Sequence, residues 1–206
     1  KKSYFFILKK AFKINNKFNS QKRFTMISLQ SHLGQLFMIG FQGVHPEDKG
    51  AQEAIALAKE GLIGGIVFFE HNLVNKEQII RLVNTFKELK LDQPLLLAID
   101  QEGGAVQRLA PKNGFHQFPS AHDVGCLEPF EALSTYKDMA HDVAEAGFNM
   151  VLGPVVDLHH DKSQIIGKLK RSFHKDPLKV VTYAKAFIQA FSERNIITCL
   201  KHFPGH

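Results

Sequence analysis

Five short, nearly continuous apolar runs recur along the chain, and they constrain its fold more than any other feature. They are FMIGF (37–41), GGIVFF (64–69), LLLAID (95–100), NMVLGPVV (149–156) and IITCLK (196–201). Runs of this length and character are typical of strands that are buried on both faces of a parallel sheet. Helical patterns separate them, and such alternation predicts an α/β fold. At this level a doubly wound sheet and a (β/α)8 barrel both remain open.

The helical patterns between these runs carry start and stop signals. Asn75 is placed to cap a helix, with Gln78 three residues later in the arrangement of a capping box. Asp176 followed by Pro177 predicts a second helix start. Two glycines predict helix ends just before the next strand, Gly61 and Gly147. The apolar residues at helical spacing, which we expect to face the core, are Ile79, Leu82, Val83, Phe86 and Leu89 in one helix and Val180, Val181, Ala184, Phe187, Ile188 and Phe191 in another.

The positive charge of the chain is concentrated at its start. Residues 1–25 hold eight of the 26 basic side chains and none of the 20 acidic ones, so the remainder carries 18 basic and 20 acidic groups, a net charge of −2. Nucleic-acid binding needs a basic patch on a folded surface, and the body of the chain lacks the composition for one. We therefore expect no nucleic-acid partner.

The basic leader does not have the pattern of a secretion signal. Its apolar run, residues 4–8, ends at Lys9 and Lys10, whereas a signal needs about 7–15 apolar residues. No apolar run approaches the roughly 20 residues of a transmembrane helix, so we expect no membrane partner. The leader is interpreted as a disordered or untranslated extension before Met26, with the domain at 26–206. Two cysteines, Cys126 and Cys199, suggest no disulfide framework, and a cytoplasmic location fits best.

Polar side chains follow three of the apolar runs, at the points where the predicted strands end. They are Asp100-Gln101-Glu102, residues 157–161 and Lys201-His202. In a barrel the carboxyl ends of all strands meet at one face, around one site. We therefore expect these groups to lie together if the fold is a barrel.

The stretch AIDQEGGAVQR, residues 98–108, pairs a carboxylate with a cation across a glycine turn. Asp100 can accept hydrogen bonds from vicinal sugar hydroxyls, and Arg108 can donate them. A structural Asp–Arg pair without a ligand is an equally good interpretation. The two glycines are not a dinucleotide-binding motif, because the G-x-G-x-x-G spacing is absent.

Two other stretches carry candidate polar groups. Arg171 lies in a basic loop before a helix, and this position taken alone does not indicate a function. In KHFPGH, residues 201–206, Lys201 can only donate a hydrogen bond, whereas His202 can donate or accept one; a structural histidine is the alternative. The adjacent residues His159-His160-Asp161 do not predict a metal site, since neighbouring loop side chains rarely converge on one ion.

Taken together, these stretches resemble family 3 of the glycoside hydrolases, in its single-domain β-N-acetylhexosaminidase branch. The matching pieces are LIGGIVFF, AIDQEGGAVQR, GPVVDL, KRSFHKDP and KHFPGH, in the family's order, and the resemblance runs from about Ser31 to the last residue. It implies a (β/α)8 barrel, of which five strand–helix units are present here, and no cofactor. It also implies a carbohydrate substrate, terminal N-acetylglucosamine, bound by Asp100, Arg108, Arg171, Lys201 and His202. Bacterial members release this sugar from muropeptides in the cytoplasm during peptidoglycan recycling, and we expect a monomer when complete.

The resemblance stops before the catalytic groups. In the family, KHFPGH continues into a loop whose Asp–His pair supplies the general acid/base, and the aspartate nucleophile lies on a later strand. We therefore expect this chain to be the N-terminal part of a retaining enzyme, without catalytic residues of its own; His206 is not assigned the acid/base role. A noncatalytic remnant and a β-N-acetylglucosaminide phosphorylase are the alternatives.

Overall fold

The computed structural model describes residues 29–206. The predicted leader, residues 1–25, lies outside this range. The strands are β1 (Met38–Ile39), β2 (Gly65–Phe68), β3 (Leu96–Ile99), β4 (Gln101–Gly103), β5 (Val106–Gln107), β6 (Met150–Val151) and β7 (Ile197–Thr198). The helices are α1 (Leu29–Gly34), α2 (Lys49–Lys59), α3 (Lys76–Lys87), α4 (Ala121–Val124), α5 (Pro129–Glu145) and α6 (Pro177–Ser192), with short 3-10 turns at Glu70–Asn72 and Pro111–Asn113.

Five of the strands form one parallel sheet in the order β1-β2-β3-β6-β7. Each of the five apolar runs contributes one of them, so the prediction of an α/β fold with a parallel sheet is confirmed. The strands are shorter than the runs, because only two to four residues of each run meet a neighbour in register. In β2 and β3 the paired residues run from Gly65 opposite Leu96 to Phe68 opposite Ile99.

The helix signals are confirmed except for one detail. The Asn75 side chain accepts a hydrogen bond from the Gln78 backbone N–H at 3.0 Å, but the Gln78 side chain accepts from the Val74 N–H rather than closing a capping box on Asn75. The Asp176 side chain accepts from the Leu178 N–H at 2.9 Å, with proline at the first helical position. The two helix-ending glycines have positive φ angles, 67° at Gly61 and 93° at Gly147.

The apolar faces of α3 and α6 pack into one core, with two corrections on α6. Four of the five residues predicted for the first face are fully buried, and Leu89 packs against the same core from just beyond the helix. On α6, Val181 is 49% exposed and Ile188 is only half-buried, contrary to the prediction, and Tyr183 and Ala190 take core-facing positions instead. The Tyr183 hydroxyl donates to the Leu127 carbonyl oxygen at 2.7 Å, which satisfies its polar end.

The length and apolar character of the described helices bear on whether any of them could span a membrane. None of those within residues 29–206 is long and apolar enough to cross a membrane.

Candidate functional site

The carboxyl ends of β3, β6 and β7 lie side by side and bring the candidate residues to one edge of the sheet. Asp100 follows β3 directly. Beyond β6 and β7 the pairing continues as an isolated parallel bridge between Val155 and Lys201, in which the Lys201 N–H donates to the Pro154 carbonyl oxygen at 3.1 Å and the Val156 N–H donates to the Lys201 carbonyl oxygen at 2.8 Å. The sheet itself therefore fixes the backbone of Lys201.

An antiparallel hairpin, β4 paired with β5, follows Asp100 and was not predicted. The fully buried Gln101 side chain holds it, because its Oε1 accepts from the backbone N–H groups of Arg108 and Leu109, both at 3.0 Å. At the turn, Gly103 has a φ of 90°, and a Cβ there would lie 2.1 Å from the Pro119 carbonyl oxygen. Only glycine fits this close approach, which explains the Gly-Gly sequence and places Arg108 beside the sheet edge.

A network of ion pairs joins four of the five candidate residues through Glu102. The Arg171 guanidinium binds the Glu102 carboxylate with two hydrogen bonds, Nε to Oε2 at 2.8 Å and Nη2 to Oε1 at 2.9 Å. The Lys201 ammonium lies 2.6 Å from Glu102 and 2.7 Å from Asp100. The Arg108 guanidinium lies farther off, with Nη2 3.9 Å from Asp100 Oδ2. Because two-point binding fixes the plane of a guanidinium, Glu102 determines how Arg171 is presented.

The loop before α6 fixes the backbone of Arg171. The Arg171 N–H donates to the Ile166 carbonyl oxygen at 3.0 Å. The next residue, Ser172, is fully buried, and its hydroxyl lies 3.1 Å from His159 Nδ1. The hydrogen bond with Glu102 raises the pKa of Arg171 and outweighs its burial, so the guanidinium remains a permanent cation and donor.

His202 forms a second, smaller assembly with Asp157, which follows β6. The His202 ring Nδ1 lies 2.6 Å from Asp157 Oδ2, and the other carboxylate oxygen accepts from the His206 backbone N–H at 2.8 Å. Burial acts to raise the pKa of Asp157, but the hydrogen bonds from His202 and His206 lower it overall. Asp157 is therefore a carboxylate at neutral pH.

The structure brings all five predicted residues together: Asp100, Arg108, Arg171, Lys201 and His202. The Arg171 Nη2 links the two assemblies, because it lies 3.4 Å from His202 Nε2. Sequence reasoning missed two carboxylates, Glu102 and Asp157, whose side chains are 3% and 7% exposed. The signal that could identify them is their position after the β3 and β6 runs, within the polar clusters that end these runs.

The stretch His159-His160-Asp161 does not form a convergent cluster. His159 Nε2 lies 3.0 Å from Asp161 Oδ1, whereas His160 Nδ1 accepts from the Lys162 backbone N–H. Within residues 29–206 no group of three or more His, Cys, Asp or Glu side chains is arranged to hold a metal ion.

Fold and site together define a class of protein. The chain contains an α/β domain whose parallel sheet presents, at its carboxyl edge, three carboxylates and three cations connected by ion pairs and hydrogen bonds. Enzymes with parallel sheets bind their ligands at this edge. The particular family follows from the sequence: residues 28–206 match the glycosyl hydrolase family 3 N-terminal domain, and the chain belongs to this family.

Named relatives agree with this membership. A β-hexosaminidase of Histophilus somni is 35% identical over 161 residues, which are 75% of this chain and 44% of the relative. The β-N-acetylhexosaminidase of Beutenbergia cavernae has a similar structure, with a TM-score of 0.77 at 29% identity over 87% of this chain and 54% of that protein. NagZ from Neisseria gonorrhoeae, solved in complex with N-trifluoroacetyl-D-glucosamine, matches with a TM-score of 0.74 at 28% identity over 84% of this chain and 50% of NagZ. The chain therefore spans about half the length of these relatives.

Proposed function

We propose that the complete protein hydrolyses terminal, non-reducing β-linked N-acetylglucosamine from glycosides, with muropeptides as the substrate class. One observation carries the proposal: the five side chains that the family resemblance assigns to sugar binding lie together at the carboxyl edge of the sheet. Relatives named β-hexosaminidase, and NagZ with its glucosamine-derived ligand, support the substrate class.

In this proposal the charged groups bind the sugar through its hydroxyl and amide groups. Asp100 accepts hydrogen bonds from hydroxyls, while Arg108, Arg171 and Lys201 donate to oxygen atoms. These are charge-assisted bonds, which contribute about 1.5–3 kcal/mol each when they are formed by a preorganised site. The ion pairs within the protein supply that preorganisation for Arg171 and Lys201, because Glu102 and Asp100 hold these head groups in place before a sugar binds.

We further propose that the sheet is part of a (β/α)8 barrel. The strand order β1-β2-β3-β6-β7 follows chain order without a reversal, whereas a doubly wound sheet reverses its order at a switch point. The proposed domain begins at Met26, and residues 1–25 contribute nothing to it. A protein starting at Met26 should match the longer one in yield and melting temperature, and a drop of several degrees would contradict this boundary.

In our proposal the residues of this site bind and orient the sugar. We assign the bond-breaking steps to other groups. The family pattern places the general acid/base histidine and the nucleophilic aspartate after KHFPGH, so the proposal includes no catalytic residue among 1–206. The complete enzyme is proposed to act with retention of configuration, without a cofactor, as a monomer in the cytoplasm.

The test uses the full-length gene product and the chromogenic substrate 4-nitrophenyl N-acetyl-β-D-glucosaminide. We expect nitrophenol release that is far faster than with the α-anomer or with the corresponding β-glucoside. Product analysis with and without inorganic phosphate separates hydrolysis from phosphorolysis, since only the latter yields a sugar 1-phosphate. Absence of turnover with the β-linked substrate would overturn the proposal.

A further inference from the structure

His202 is held on one side by a group that can only accept a hydrogen bond. Its ring Nδ1 lies 2.6 Å from Asp157 Oδ2, and its backbone N–H donates to the same oxygen at 3.2 Å. The Asp157 side chain is 7% exposed, and the His206 N–H occupies its other oxygen. A carboxylate surrounded by N–H donors is ionised and has no hydrogen to give. The hydrogen between Asp157 and His202 therefore lies on Nδ1.

On its other side, His202 faces a group that can only donate. The ring Nε2 lies 3.4 Å from Nη2 of Arg171, and a guanidinium carries no acceptor. If Nε2 carried a hydrogen in addition to the one on Nδ1, two N–H donors would face each other. A positively charged imidazolium would then lie against the Arg171 cation. This arrangement suits an Nε2 whose lone pair faces the Arg171 guanidinium.

We infer that Asp157 fixes His202 as the neutral tautomer with the hydrogen on Nδ1, so that Nε2 accepts a hydrogen bond from a hydroxyl of the ligand. The role of Nε2 towards a sugar rests on the function proposed above, whereas the tautomer does not. Asp157 is thus a positioning residue, which acts on the ligand only through His202.

His202 then supplies a neutral hydrogen-bond acceptor, which Arg171, Lys201 and Asp100 do not. Arg171 and Lys201 donate only, and Asp100 accepts as an anion, whereas His202 accepts without a charge. The contact between Arg171 and His202 is longer than the 2.7–3.2 Å of a good N–H donor bond. Replacing it with a hydroxyl costs little, because Arg171 keeps both of its bonds to Glu102.

The tautomer is measured directly by long-range ¹H–¹⁵N correlation spectra of the full-length gene product labelled with ¹⁵N-histidine. At about pH 8, above the ordinary histidine pKa of about 6.5, neutral rings show which nitrogen carries the hydrogen. The His202 signal among the 11 histidines of this sequence is the one that disappears in the His202→Asn variant. We expect an Nδ1–H pattern in the wild type and a growing Nε2–H population in Asp157→Ala. An Nε2–H pattern or an imidazolium in the wild type, or an unchanged tautomer in Asp157→Ala, would overturn the inference.

A kinetic experiment tests the acceptor itself. In His202→Asn the side-chain amide can still donate to Asp157, but no acceptor remains at the Nε2 position. We expect KM for the chromogenic substrate to rise about threefold to tenfold with kcat within about twofold, the effect of one lost neutral hydrogen bond. An unchanged KM would refute the acceptor role. If the wild type has no hexosaminidase activity, the proposed function fails while the spectra still decide the tautomer.

Discussion

Glu102 is the group whose removal should disturb this site most, and Glu102→Gln is the mildest way to remove its charge. The carboxylate is 3% exposed and makes three short contacts: two with Arg171, at 2.8 and 2.9 Å, and one with Lys201, at 2.6 Å. A glutamine of the same shape keeps one oxygen, but its amide group must point a donor at one of these two cations.

The expected cost follows from the burial of the partners. The Arg171 and Lys201 side chains are 11% and 14% exposed, so neither cation can turn to water without rearrangement. Removing one partner of a buried ion pair costs about 3–5 kcal/mol. Lys201 keeps its bond to Asp100, and the glutamine oxygen retains one acceptor, which favours the lower end. We expect the free energy of unfolding to fall by about 3 kcal/mol.

Urea-induced unfolding of the full-length gene product measures this loss, provided that the slope of the transition is unchanged. Glu70→Gln is the matched control, because Glu70 pairs with Lys112 at the surface, where both side chains are more than half exposed and such pairs contribute little. A loss below about 1 kcal/mol for Glu102→Gln, or one no larger than that of the control, would refute the view that Glu102 holds the two cations. The same variant should raise KM, since Arg171 and Lys201 lose their fixed orientation.

Four further changes test the surroundings of this group. Tyr136→Phe should leave the free energy of unfolding unchanged or raise it by up to about 1 kcal/mol, because its buried hydroxyl has no hydrogen-bond partner within residues 29–206. Tyr183→Phe should lower it by about 1 kcal/mol, because that hydroxyl is bonded; equal losses in urea titrations would contradict both statements. Asp157→Asn should destabilise the protein at pH 7 and progressively less below about pH 3.9, because the lowered pKa of Asp157 gives stability above its ordinary value that is lost as pH falls; a pH-independent difference would count against this. Asp100→Ala should raise KM about tenfold to hundredfold, and an unchanged KM would remove Asp100 from the site.

The parallel sheet could be predicted because its signal is local. A strand that is buried on both faces must be apolar along its length, so each of the five runs is visible in the sequence without any knowledge of its neighbours. Helix starts such as Asn75 and Asp176 are similarly local, since the capping side chain acts on a backbone N–H two or three residues away.

The hairpin of β4 and β5 could not be predicted, because its cause is not local. Its residues show no apolar alternation, and the buried Gln101 side chain holds them by binding the backbone at Arg108 and Leu109. The missed carboxylate Glu102 has the same origin. Whether an acidic residue is exposed or buried against two cations depends on Arg171 and Lys201, which lie 69 and 99 positions further along the chain.

The groups of the site differ in how far their bonding is already complete, and this difference indicates where a ligand meets them. Glu102 already makes three short contacts, two with Arg171 and one with Lys201. Asp100 has one close partner among the described residues, Lys201, and Arg108 stands 3.9 Å away from it. The Arg108 side chain is 24% exposed, so a ligand can reach part of it. A sugar oxygen that accepts from Arg108 while a neighbouring hydroxyl donates to Asp100 would satisfy both groups without breaking a bond of Glu102. We therefore expect Asp100 and Arg108 to change their bonding most when the ligand binds, with Arg171 and Lys201 moving least.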